Sequence, residues 1–131
     1  MMRSFALLAI FPALAACRGD ETVAAYGGSG QIWVLQELDG AVFPARATLT
    51  FPGAGQIAGA APCNSYSGAM TVPYPWFETG PLAVTRRACP DLAAETVFLD
   101  ALQAMAFSEV SGRLLILSNG TGREMVFSSG G

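Results

Sequence analysis

From Ile32 onward the apolar positions of the chain fall into short runs separated by turn residues. Ile32–Leu38 reads as a strand, and Asp39-Gly40 closes it with a hairpin-type turn. In Ala47–Phe51 the polar Thr48 and Thr50 alternate with Leu49 and Phe51, the period of two of a half-buried strand. Pro52-Gly53 turns the chain, Gln56–Ala60 starts the next strand, and a further strand is expected over Tyr66–Val72. The pattern breaks at Pro73-Tyr74-Pro75-Trp76, where two prolines exclude a central strand. It resumes, extended, from Phe77 to Thr85 around Gly80-Pro81-Leu82.

One helix is predicted, over Asp91–Ala106. Leu92, Glu95, Phe98, Leu99, Leu102 and Met105 fall near helical spacing, and all but Glu95 are apolar. Pro90 suits a helix start, and Asp91 and Glu95 place negative charge where the helix dipole favours it. Three strands follow, Phe107–Val110, Arg113–Ser118 and Arg123–Ser128, joined through Ser111-Gly112 and Asn119-Gly120-Thr121-Gly122. Many strands, one helix, then more strands make the class α+β, mainly β: a strongly twisted antiparallel sheet or partly open β-barrel packed against a single α-helix. Leu114–Leu117 is apolar at every position, which predicts a strand covered on both faces.

The first residues follow another pattern. After Arg3 comes an apolar run, Phe5–Ala16, too short to span a bilayer and interrupted by Pro12. It ends in Leu14-Ala15-Ala16-Cys17, which resembles the lipobox of bacterial lipoproteins. On that reading residues 1–16 are a cleaved signal peptide and Cys17 is the lipid-attachment residue; the plainer alternative is a secretory signal with a chance cysteine. By resemblance to the usual lipoprotein sorting signal, Arg18 after the cysteine, in place of Asp, implies the outer membrane, facing the periplasm. Residues 17–30 are small, polar and glycine-rich, and read as a lipidated flexible tether reaching about 20 Å. Residues 31–131 then form one domain.

Composition narrows the chemistry. The 131 residues carry a net charge of −3, with no histidine, and all seven basic residues are arginine. Imidazole-based triads, imidazole metal ligation, Schiff-base lysines and the P-loop lysine are therefore excluded. A small acidic domain offers no footprint for nucleic acid. No catalytic residue, metal site or cofactor is expected. Of the three cysteines, lipidation of Cys17 removes one and leaves Cys63 and Cys89. In an oxidising compartment they are read as a disulfide; two buried thiols or a reactive thiol are the alternatives, the last without a lysine or histidine to activate it.

Three segments carry a resemblance: Trp33-Val34-Leu35 with Gly40, Gly59 to Gly68 (GAAPCNSYSG), and Gly80 to Pro90 (GPLAVTRRACP). In order and spacing they resemble the META domain, the HslJ-like family of bacterial envelope lipoproteins, over about residues 31–128. The resemblance implies a β-rich, single-helix fold similar to lipid-binding pilotins, members linked to heat shock or to resistance to an amphipathic antibiotic, and no enzymatic activity. It makes Cys63, Asn64, Tyr66, Gly68, Thr85 and Cys89 the family signature, read as structural. Arg87 departs from the apolar residue, often Met, that many members carry there. From the residues themselves, Asn64 reads as a turn or capping amide and Tyr66 as a core anchor with a polar tip. Arg86-Arg87 reads as a solvated pair or a site for an acidic partner or lipid headgroup, and Tyr74–Phe77 as an exposed aromatic surface or a plug. The leading expectation is a non-enzymatic outer-membrane lipoprotein serving envelope integrity or stress tolerance by binding a hydrophobic ligand or envelope partner. A pilotin-like assembly chaperone and a carboxylate hydrolase are its rivals.

Overall fold

The computed structural model describes residues 19–130. The expected acylation at Cys17 and the signal peptide lie outside the described residues. The first hairpin forms where Asp39-Gly40 predicts it: β1 (Trp33–Leu38) turns into β2 (Ala41–Val42) with positive φ at both turn residues, 51° and 81°. Strand β1 also pairs with β3 (Thr48–Leu49) on the same edge and with β9 (Glu124–Ser129) on the other. Its register against β9 shifts between Leu35 and Glu37. Gln36 is the extra residue of that bulge, so Trp33, Leu35 and Leu38 point into the core although their spacing breaks the period of two. With β7 (Phe107–Ser111) and β8 (Leu114–Ser118) the sheet has six strands, ordered β2-β1-β9-β8-β7 with β3 beside β1.

A second sheet of three strands, β4 (Gln56–Ala60), β5 (Ser65–Ala69) and β6 (Ala83–Val84), is likewise antiparallel. Threonines sew it to the first. Thr50 bridges Ala58 through the backbone and also donates its hydroxyl to the Ala58 carbonyl at 2.9 Å. The Thr48 hydroxyl accepts the Ala60 N–H at 2.9 Å. The helix α1 (Leu92–Ala104) buries one face, Glu95, Phe98, Ala101 and Leu102, in the core. The Phe98 ring meets Tyr66 edge-on at 5.6 Å and Phe43 at 6.2 Å. Among the described residues, nine strands in two antiparallel sheets and one α-helix of 13 residues thus enclose a single core, and the sheets do not close into a barrel.

Several expectations need correction. The segment read as a flexible tether is docked over its second half: Val23 is wholly buried, Ala24 nearly so, and Ala24–Gly28 forms one irregular helical turn. The Tyr74 N–H donates to the Glu21 carbonyl at 2.7 Å, and the Trp33 indole N–H to the Gly28 carbonyl at 2.8 Å. A buried indole needs an acceptor, and this segment supplies it. The strand expected over Tyr66–Val72 stops at Ala69, and the stretch Phe77–Thr85 contributes only the short β6. Strand β8 is covered on one face only. Leu115 and Leu117 are buried, Ile116 is half-buried and Leu114 is exposed.

Candidate functional site

The site grows from the turn Ala61–Asn64 between β4 and β5. Within that turn the Ala61 N–H closes onto the Asn64 carbonyl at 2.7 Å and Pro62 has no N–H, so Cys63 and Asn64 need acceptors from elsewhere, and a side chain of α1 supplies them. Glu95 reaches out of the helix so that its Oε1 accepts the N–H groups of Cys63 (3.0 Å) and Asn64 (2.8 Å). Its Oε2 accepts the Asn64 side-chain amide at 2.7 Å. Asn64 is equally committed. Its Nδ2 also donates to the Arg87 carbonyl (2.9 Å), and its Oδ1 accepts the Thr85 hydroxyl (3.0 Å) and the Arg87 N–H (2.6 Å). Thr85 Oγ1 in turn accepts the Ser65 N–H at 3.1 Å. Cys63 and Cys89 are joined by a disulfide, with Cα atoms 5.6 Å apart. One carboxylate, one amide and one disulfide thus pin the β4–β5 turn, the segment after β6 and the helix together.

The inner wall depends on close backbone approach. The Tyr66 hydroxyl donates to the Thr48 carbonyl at 2.6 Å, and burial holds its phenol well above the ordinary tyrosine range, so it stays a donor. A Cβ on Gly59 would stand 2.1 Å from that same carbonyl, so only glycine fits. A Cβ on Gly68 would lie 2.8 Å from the end of the Leu82 side chain, which packs over β5.

Outside this knot runs a groove of about 520 Å³. Leu82, Val84 and Leu92 give it an apolar lining, Arg86 and Arg87 stand exposed along it, and Asn64 and Glu95 close its inner end. The polar groups at that end are already spent on one another. Every donor and acceptor of the Asn64 amide is used within the protein, and both Glu95 oxygens are occupied. Among the described residues no three histidine, cysteine, aspartate or glutamate side chains gather as a metal site. The structure therefore brings together Cys63, Asn64, Thr85 and Cys89, with Tyr66 and Gly68 on the adjoining strand. Sequence reading missed Glu95 as their hub. Its signal was present: it is the one polar residue on the apolar face of the predicted helix.

The family model for the META domain matches residues 28–130. No curated protein matches the chain. Among solved structures, a protein from Burkholderia xenovorans is similar at 24% identity, covering 91% of this chain and 96% of its own, with a TM-score of 0.66. A DUF4847 family protein from Bacteroides vulgatus is similar at 14% identity, covering 81% of this chain and 96% of its own, with a TM-score of 0.65. Both likenesses speak to the fold.

Proposed function

The chain belongs to the META domain family, and from that premise we propose that it is a non-enzymatic, lipid-anchored binding protein of the bacterial outer membrane. Acylated at Cys17 and facing the periplasm, it serves envelope integrity or stress tolerance by holding a hydrophobic ligand. The observation that carries this reading is the groove beside α1. Leu82, Val84 and Leu92 offer an apolar lining, the two arginines offer positive charge beside it, and the polar groups at its end are consumed by one another. Such a groove fits an amphiphile with an apolar chain and an acidic head. The family is not known as enzymatic, and the saturated Glu95 leaves no free carboxylate in the groove to act as acid or base.

Binding is tested by titrating the full chain with a fluorescent fatty acid. Saturable binding is expected, weakened at least ~10-fold by Leu82→Arg and by the double change Arg86→Glu, Arg87→Glu, each with circular dichroism unchanged. Binding that both variants leave untouched, or none by the wild type, rejects the groove. The anchor is tested separately. Cys17→Ser should release the protein from membranes or stall its processing, and mass spectrometry of the wild-type N-terminal peptide should show the added acyl mass. A wild-type peptide without that mass rejects the anchor.

A further inference from the structure

Four aromatic rings gather where β7 forms the edge of the larger sheet. Tyr26 stacks flat on Tyr74 with ring centroids 4.7 Å apart, and Trp76 leans on Phe107 at 5.1 Å. Pro75 holds the two pairs side by side, since its carbonyl accepts both the N–H (2.7 Å) and the hydroxyl (3.2 Å) of Ser108. Tyr26 and Trp76 are 55% and 54% exposed and Phe107 36%, although large aromatic side chains gain most from burial. Beside Trp76 a hollow of about 450 Å³ opens between Val72, Phe77, Met105 and Ala106, with Glu78 among its lining residues.

The chain enters the domain at this same end. Glu21 is hydrogen-bonded to Tyr74, and Gly19 lines one hollow with Pro73. Only two peptide units separate Gly19 from Cys17, a reach of about 7 Å. Acyl chains on Cys17 would hold the aromatic end within contact of the bilayer. Tryptophan and tyrosine are the side chains that settle at headgroup level, with an apolar body and a polar tip. The neighbouring Glu21, Glu78 and Glu109 are acidic, so the attraction is not electrostatic and suits zwitterionic lipid.

We propose that the face formed by Tyr26, Tyr74, Trp76 and Phe107 rests on the zwitterionic bilayer interface. The proposal rests on the anchoring of Cys17 proposed above, and it makes the anchored domain lie down in one orientation instead of swinging on a leash.

The test uses the acylated full chain reconstituted in phosphatidylcholine vesicles whose acyl chains carry bromine near the headgroup. Trp33 is enclosed in the core and Trp76 is exposed, so contact quenching reports on Trp76. Its emission is expected to fall at least ~2-fold relative to unbrominated vesicles, and to keep that loss in high salt. Trp76→Phe should abolish the loss. The double variant Tyr26→Ser, Phe107→Ser should restore most of the emission while remaining folded. Full Trp76 emission from protein shown by mass to be acylated overturns the docking and leaves the anchor standing. A mature chain without an acyl group on Cys17 overturns both.

Discussion

The side-chain amide of Asn64 makes four hydrogen bonds to two other segments, the stretch after β6 and the helix, and its removal is felt by both. Asn64→Ala strips the Glu95 carboxylate of one donor and leaves the Arg87 N–H and carbonyl without their partner. Networks that are complete lose more than the sum of their bonds when one member goes. A destabilisation of about 2–4 kcal/mol is expected in urea unfolding at neutral pH. Gly59→Ala should be at least as severe, because its new methyl meets backbone, which has nowhere to retreat. Asp39 acts at the surface and in a pH-dependent way. The Glu124 N–H first, and the Arg123 side chain second, hold its carboxyl below the usual range. A lowered value in the folded state means that the contribution is complete above the ordinary aspartate range and fades as pH falls through the lowered value. Asp39→Asn keeps the left-handed turn comfortable, so it isolates the charge. Its melting temperature should sit slightly below wild type at pH 7, by at most about 3 °C, with the gap closing in acid.

At the scale of elements, the helix was legible because its apolar positions repeat, and Leu92–Ala104 sits inside the predicted span. The buried carboxylate in that repeat was legible as an exception but not as a hub, since its partners lie about thirty positions earlier and meet it only through the folded turn. The Cys63–Cys89 pairing followed from counting cysteines once Cys17 is set aside. The bond links residues 26 apart, for which loop closure gives about 3.5 kcal/mol. Replacing both cysteines by serine should cost up to that amount in urea unfolding while leaving the far-ultraviolet spectrum native, because Glu95 still holds the turn. The segment before β1 was not legible. Its glycines and small residues resemble a linker, and only the finished core creates the cavity that Val23 fills and the indole that Gly28 serves. Val23→Asp should therefore destabilise the domain by on the order of 3 kcal/mol, an effect a true linker would not show.

Among the described residues of the whole molecule, a large sheet and a small one are held edge to edge by threonines, and one helix shares their core. The class of the fold followed from element order alone; its openness followed from details that no pattern carries, chiefly how far β6 shrinks and which face of β8 stays wet. The pairing of β1 with β9 has a mechanical consequence. They are antiparallel, and Trp33 opposite Ser129 puts the first residue of one beside the last of the other. Tension applied between those two ends would not shear the ladder as a unit. It would open the pair from that end toward Leu38 and Met125, one rung after another, like a zip, so a pull applied at Trp33 and Ser129 should part these strands at low force.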